Sequence, residues 1–437
     1  MTDFYLAIII FFAVYVFIVI EKWHKTVIAL TGASAVLLFK ILSQHEAFRT
    51  EEFGVDWNVI ILLVSMMIII SIMRETGIFQ WTAIKSAKLG KGEPFRIMAI
   101  LCVVTAVLSA LLDNVTTVLL IAPVTIVLAN QLDIDPIPFL IAEVLASNIG
   151  GTATLIGDPP NIMIASRAHL TFNQFILNLG PVVLVILLVY LITIRFIWGS
   201  RLRVRPEMKE RLLAMDESQT ITDRTLLKKS LFVMSLVILG FGLHGTMGLQ
   251  PASIALGGAA LLMLLSGREP HKVLHEVEWT TLFFFIGLFI VVGGLVKVGA
   301  IGLMAEKVLD LTKGNMMATS MFILWFSAIA SAVVDNIPYV ATMNPLIVDM
   351  AKGLWPNETE LDLLHHVDLL PVWWSLALGA CLGGNGSAIG ASANVIVCGV
   401  AERAGYPITF WRFTLYGFPL MVESVIIASI YVWLRYY

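Results

Sequence analysis

The sequence predicts an all-α polytopic membrane protein made of two inverted repeats. Charged residues make up only 14% of the chain and hydrophobic residues 58%, whereas a soluble domain carries about 25% charged residues. Apolar runs that approach the roughly 20 residues needed to cross a bilayer recur along the whole chain. An Asp-Asn dipeptide and a glycine-rich run occur in each half. We therefore expect ten transmembrane spans plus two re-entrant helical hairpins and two broken helices.

The first repeat, residues 1–198, begins with three spans and ends with a hairpin, a broken span and a closing helix. Two uncharged runs of sixteen residues, 97–112 and 115–130, flank Asp113-Asn114. Each run is short for a full crossing, so the pair is better explained as a re-entrant hairpin with the dipeptide at its tip. The other elements are spans near 4–21, 26–42 and 57–73, an amphipathic interfacial segment at 78–93, a span at 137–168 broken by the run 150–161, and a helix at 172–198.

The second repeat, residues 230–437, follows a polar linker at 199–229 and has the same plan. Pro123 and Pro345 each come ten residues after the aspartate of the dipeptide. The runs 150–161 and 383–394 share five identities in twelve positions. The elements are spans near 230–247, 252–267 and 279–297, an interfacial segment near 300–313, a hairpin at 316–352 with Asp335-Asn336 at its tip, a broken span at 371–403 and a helix at 411–435.

The distribution of Lys and Arg predicts the orientation. The linker 199–229 carries eight of them and residues 74–96 carry five, whereas the loops 43–57 and 353–370 carry one and none. Because basic residues are enriched in cytoplasmic loops, we expect the linker inside and both termini outside a cell (inner) membrane. The first apolar run lacks a cleavable signal pattern, so we expect it to be retained as a span. The hairpins then open to opposite sides, which suits alternating access.

The two aspartates at the hairpin tips are the leading functional candidates. A carboxylate inside the membrane costs on the order of 3 kcal/mol by insertion scales, and such residues usually serve function. The alternative is that each Asp caps the helix that follows it. Both interpretations can hold together, and the duplication favours function. Asp158 has no acidic counterpart in the second repeat; it is either a proton carrier or the N-cap before Pro159.

The glycine-rich runs predict unwound segments at membrane depth, where freed backbone groups are tolerated beside protein or a water-filled cavity. Close helix packing through small residues is the alternative. Together the tips and the breaks predict a buried polar site. The proton-coupling candidates are Asp113, Asp335 and Asp158, and the substrate- or ion-binding candidates are Asp113, Asn114, Thr116, Thr117, Asn148, Thr152, Thr154, Asn161, Asp335, Asn336, Asn385, Ser387 and Asn394.

Other classes of function lack support in the sequence. No cofactor loop, metal-ligand cluster or nucleophile–base spacing is present, so we expect no enzyme, no cofactor and no metal centre. A net charge of −3 gives no indication of nucleic-acid binding. The three cysteines lie in apolar stretches, which disfavours a disulfide framework. Cys381 and Cys398 flank the second break and could act as thiol ligands, although a buried free cysteine is commonly a small hydrophobe.

At these motifs the chain resembles the ArsB/NhaD branch of the ion transporter superfamily. The resemblance rests on the segments DNVTTVLLIAP (113–123), SNIGGTATLIGDPPN (147–161), DNIPY (335–339) and GGNGSAIGASAN (383–394), and it extends to the melanosomal P protein. It implies a scaffold domain that often dimerises, formed by residues 1–93 and 230–313. It also implies a moving transport domain, residues 94–198 and 314–437, and for an ArsB-type pump a soluble ATPase partner.

The charges of the predicted site narrow the range of possible substrates. Two aspartates with no arginine nearby disfavour a polyanion, because like charges repel and no guanidinium would bind its carboxylates. Neutral arsenous and antimonous acids can hydrogen-bond to Asn, Thr and backbone groups. The sequence therefore predicts proton-coupled efflux of arsenite or antimonite by an elevator-type mechanism. The alternatives are a sodium/proton antiporter and an anion (dicarboxylate or oxyanion) permease.

Overall fold

The computed structural model describes residues 2–20, 22–50, 53–199, 202, 204–214 and 217–437, and these residues are helical with no β-strand. The first half contains α1 (Thr2–Ile20), α2 (Lys25–Leu38), α3 (Gln44–Arg49), α4 (Trp57–Arg74), α5 (Ile78–Leu89), α6 (Pro94–Leu111), α7 (Asn114–Gln131), α8 (Ile137–Gly151), α9 (Pro159–Ala168) and α10 (Phe172–Trp198). After α11 (Pro206–Ala214), the second half contains α12 (Arg224–Met247), α13 (Pro251–Ser266), α14 (Pro270–His275), α15 (Trp279–Lys297), α16 (Ala300–Thr312), α17 (Met316–Val333), α18 (Asn336–Leu354), α19 (Glu360–Leu364), α20 (Leu370–Gly383), α21 (Ser392–Arg403) and α22 (Phe410–Tyr436).

The predicted fold class, an all-α polytopic membrane protein, is confirmed. Among the described residues, nine helices are long and apolar enough to cross a membrane: α1, α4, α6, α7, α10, α12, α15, α17 and α22. Three shorter apolar helices, α2, α8 and α13, add to them. The hairpin arms are longer than the apolar runs of sixteen, because polar or proline-containing ends such as Pro94 and Gln131 continue the helices.

Equivalent helices of the two halves make equivalent contacts, both within each half and between the halves. Helix α6 packs on α8 as α17 packs on α20, so each hairpin arm lies along the broken helix of its own half. Across the halves, α2 packs on α15 and α13 packs on α4, while α7 contacts α21 and α18 contacts α9. The halves are therefore interlocked. Neither could bury its polar elements alone.

Two glycines, one in each half, allow close helix contacts. A Cβ on Gly150 would lie 2.1 Å from the backbone O of Ala106, and one on Gly383 would lie 2.6 Å from the backbone O of Ala328. Small residues at membrane helix crossings allow backbones to approach closely. The glycine-rich runs thus serve helix packing at their first residues as well as the break that follows.

The linker region is fastened to the membrane helices by charged contacts. Glu217 binds Lys88 and, at 3.1 Å, Lys85 of α5. Helix α12 begins at Arg224 and is capped by Asp223, which accepts a hydrogen bond from the backbone N of Leu226 at 2.9 Å. Helical structure thus covers the last residues of the segment 199–229.

Candidate functional site

Both Asp-Asn dipeptides lie at the first turn of a hairpin arm. Asp113 precedes α7 and accepts a hydrogen bond from the backbone N of Thr116 at 2.7 Å. Asp335 precedes α18 and accepts one from the backbone N of Ile337 at 3.2 Å. Both carboxylates are therefore helix caps, and both residues are buried. A carboxylate that caps a helix can still accept further hydrogen bonds, because its two oxygens offer about four acceptor positions.

Each tip is joined to the break of its own half by a backbone hydrogen bond. The N–H of Asn114 donates to the O of Gly157 at 3.0 Å, and the N–H of Asn336 donates to the O of Gly390 at 3.2 Å. Thr154 Oγ1 donates to the O of Ala110, and Ser387 Oγ donates to the O of Ala332 at 2.6 Å. The hairpin and the broken helix of each half consequently form one unit.

The terminal asparagine of each run stabilises the unwound backbone. Asn161 Nδ2 donates to the O of Thr154 at 2.9 Å, and Asn394 Nδ2 donates to the O of Ser387 and of Gly384, each at 2.8 Å. Thr152 Oγ1 donates to the O of Asn148 at 2.8 Å, so its hydroxyl is also used on backbone. Unwound carbonyls at this depth need such donors. These side chains therefore stabilise the breaks through hydrogen bonds to the backbone.

An amide network connects the two halves. Asn148 Oδ1 accepts from Asn114 Nδ2 at 3.0 Å, and Asn148 Nδ2 donates to Asn385 Oδ1 at 2.9 Å and to Asn394 Oδ1 at 3.0 Å. Cys381 occupies the equivalent position in the second half, and its Sγ donates to Asn161 Oδ1 at 3.3 Å. The residue at this position therefore donates to the terminal asparagine of the opposite break in both cases: the Asn148 amide to Asn394, and the Cys381 thiol to Asn161.

The other predicted residues at the tips differ in what they contribute. Thr116 offers its backbone N to Asp113, and its side chain is only half-buried. Thr117 Oγ1 and Asn114 Oδ1 are buried without a hydrogen-bond partner among the described residues. Asp158 is 1% exposed, and Asn336 Nδ2 approaches its carboxylate at 3.4 Å. Buried polar atoms are normally paired, so these two oxygens, in residues that follow Asp113 in the chain, keep unused hydrogen-bonding capacity.

A cavity of about 530 Å³ reaches both tips. Asp113 and Asp335 line it together with Glu278, Lys25 and Ser392, which shows that the tips meet at one cavity. The N-termini of α7, α9, α18 and α21 also lie in this central region. Helix N-termini carry partial positive charge and favour anions.

The sequence indicates no arginine near the two aspartates, but the structure places a lysine, Lys25, beside the second tip. Lys25 Nζ lies 2.8 Å from Asp335 Oδ2 and 2.6 Å from Ser392 Oγ. Sequence reasoning missed Lys25 because it precedes an apolar span and lies 310 residues from Asp335. Its place at the start of a span was visible, but the partner of its side chain was not. Ser392, the first residue of α21, was likewise outside the predicted set.

Comparisons with known proteins agree with this architecture. The chain matches the model of the CitMHS family, described as citrate transporter, over residues 15–379. It is 48% identical over 431 residues to an uncharacterized transporter of Mycobacterium tuberculosis, covering 99% of this chain and 98% of that protein. It is 33% identical over 500 residues to the P protein of Homo sapiens, covering 96% of this chain and 58% of that protein.

Among solved structures, the crystal structure of the YdaH transporter of Alcanivorax borkumensis aligns with a TM-score of 0.54. The alignment covers 86% of this chain and 85% of that one at 14% sequence identity, which supports a common fold. The match to the family model spans most of the chain and both of the Asp-Asn tips. The chain therefore belongs to the CitMHS family of membrane transporters.

Proposed function

We propose that this transporter carries a small anion, a carboxylate or an oxyanion, together with coupling cations. The single observation that carries the proposal is the meeting of four helix N-termini and the Lys25 ammonium around one central region. Half-helix N-termini bind anionic substrate groups in other transporters built from inverted repeats. The description of the family as citrate transporters supports the same class of substrate.

Coupling cations are required by the remaining charges. Asp113 and Asp158 have no Lys or Arg within ion-pair distance in the described part of the chain, and Glu278 lines the same cavity as Asp113. An anion would meet like-charge repulsion unless protons or sodium ions neutralised these groups. The buried oxygens of Asn114 and Thr117, in residues that follow Asp113 in the chain, would complete a set of oxygen ligands for a hard cation.

The proposed motion is of the elevator type. Residues 94–198 and 314–437 would move as the transport domain, and residues 1–93 and 230–313 would form the scaffold. The amide network supports this division, because Asn114, Asn385 and Asn394 each bind Asn148 within the proposed transport domain. A homodimer, which the resemblance implies, belongs to this proposal, whereas a soluble ATPase partner belongs to the arsenite alternative.

Uptake into proteoliposomes tests the substrate. Purified protein is reconstituted, and radiolabelled citrate, succinate, arsenite and sodium are offered with and without imposed proton or sodium gradients. We expect gradient-dependent accumulation of a carboxylate, with a loss of about tenfold or more in Asp113→Asn, since a charge that neutralises the coupling ion is removed. Asp310→Asn, an exposed aspartate on α16, is the matched control. Carboxylate uptake that ignores every gradient would overturn the proposal.

Proton-coupled efflux of arsenite or antimonite is the second candidate. The observation that favours it is the uncharged amide network with the Cys381 thiol 3.3 Å from Asn161, which suits a neutral hydroxide-like solute. In everted vesicles it requires arsenite loading on a proton gradient, reduced in Cys381→Ala. Sodium-dependent dequenching of a pH dye, with no effect of arsenite, would instead identify the sodium/proton antiporter. The uptake panel thus separates the three substrates.

A further inference from the structure

We infer that the Lys25 ammonium is the resident counter-cation of the second hairpin tip, and that it fastens this tip to the scaffold. Asp335 is then not an exchangeable coupling site while Lys25 is bound, and the coupling ion belongs to Asp113. The inference deepens the proposed function, since it assumes that cations are coupled to transport. It assigns different roles to two dipeptides that are identical in sequence.

Three contacts hold the Lys25 ammonium. Its Nζ lies 2.8 Å from Asp335 Oδ2, 2.6 Å from Ser392 Oγ and 4.9 Å from the centre of the Phe284 ring. A carboxylate, a hydroxyl and an aromatic face form a complete site for an ammonium. Because Ser392 Oγ is also 2.8 Å from Asp335 Oδ2, the three groups form a closed triangle.

Because Lys25 belongs to the proposed scaffold and Asp335 to the proposed transport domain, this ion pair connects the two domains. Lys25 is the first residue of α2, whereas Asp335 precedes α18 and Ser392 begins α21. The side chain of Asp335 is 10% exposed and that of Lys25 is 30% exposed. The electrostatic attraction within a pair that is mostly shielded from water is stronger than within an exposed pair. Because both groups have lost hydration, removal of one partner leaves a costly unpaired charge.

The first tip has no such partner. In the second half α13 is the counterpart of α2, and it begins with Pro251, which has no charge. Asp113 lies on the same cavity as Lys22, His24 and Glu278, but no Lys or Arg in the described chain lies within ion-pair distance of it. The two tips therefore differ in their partners: Asp335 has a resident ammonium, whereas the carboxylate of Asp113 is left free for an exchanging cation.

A double-mutant cycle tests the inference in transport. Lys25→Met should lower uptake about tenfold at limiting coupling cation, because Asp335 is then unpaired and competes for the ion. Lys25→Met with Asp335→Asn should recover to within about threefold of the wild-type rate, since no net charge is then left unpaired. Lys307→Met, which changes an exposed lysine on α16 that does not line this cavity, should leave the rate within about twofold. Additive losses in the double variant would overturn the inference.

A second experiment needs no substrate, so its outcome does not depend on the proposed function. Lys25→Cys is treated with aminoethyl methanethiosulfonate, which restores an ammonium, or with sulfonatoethyl methanethiosulfonate, which adds an anion. The midpoint of thermal unfolding in detergent is measured. The wild-type chain, which has free Cys102, Cys381 and Cys398, is treated in parallel. We expect recovery with the ammonium and a further loss with the sulfonate. Equal effects of both reagents would refute the ion pair.

Discussion

At the scale of the residue, Asn148 is the side chain through which hydrogen bonds connect the two halves of the site. It accepts from one hairpin tip and donates to two residues of the opposite break, and its own exposure is zero. The equivalent Cys381 can make only one weak contact of this kind. The two repeats thus keep the same geometry while their hydrogen-bonding capacity differs.

Replacing Asn148 with Ala should impair both stability and transport. The change removes the Asn148 partner of Asn114 Nδ2, Asn385 Oδ1 and Asn394 Oδ1, and each buried polar atom left unpaired costs about 1–3 kcal/mol. The midpoint of thermal unfolding in detergent and the uptake rate should both fall. Asn357→Ala, which removes an exposed amide in the loop after α18, should change neither by a comparable amount. An unaltered unfolding midpoint in Asn148→Ala would contradict the network.

At the scale of the element, the breaks depend on close contact between each hairpin arm and its broken helix. Gly150 brings α8 against α6, and Gly383 brings α20 against α17. Backbone hydrogen bonds from Asn114 to Gly157 and from Asn336 to Gly390 then hold the tips on the unwound segments. Packing and polar satisfaction are therefore coupled, because a shift of the arm would break the bonds to the tip.

Gly150→Ala should be strongly destabilising. The new Cβ would stand 2.1 Å from the backbone O of Ala106, a distance that forces the helices apart, and overpacking typically costs about 1–3 kcal/mol. Gly257→Ala on α13 is the matched control, because nothing lies within 4 Å of its added Cβ. We expect a lower unfolding midpoint and reduced uptake in the first variant and little change in the second. Comparable unfolding midpoints would refute the role of the crossing.

At the scale of the whole molecule, charged contacts outside the membrane hold the linker region against the helices. The Lys88 ammonium, with the Glu217 backbone N–H and then Lys85, lowers the pKa of Glu217 from 4.5 to about 2. Lys209 binds Glu93 in the same region. These contacts cluster where the basic residues of the linker predict the cytoplasmic side.

The depressed pKa of Glu217 predicts a pH dependence. A carboxyl whose folded pKa lies below its unfolded value stabilises the fold above pH 4.5, and this contribution is lost as the pH falls from 4.5 toward 2. The difference in unfolding midpoint between wild type and Glu217→Gln should therefore be largest at neutral pH and should shrink below pH 4.5. Glu207→Gln, an exposed change in α11, serves as the control. A difference that is constant with pH would contradict this account.

The sequence by itself determined the fold class, the repeat and most of the buried polar residues. These follow from local properties: apolar runs as long as a bilayer, helix breakers at fixed spacing, and polar side chains that have no place in lipid unless protein surrounds them. The tertiary structure alone decided which polar groups meet. Asn148 joins Asn394 and Lys25 joins Asp335 across hundreds of residues. Such pairings depend on how the interlocked halves pack, so charge balance at the site could not be read from neighbouring residues in the chain.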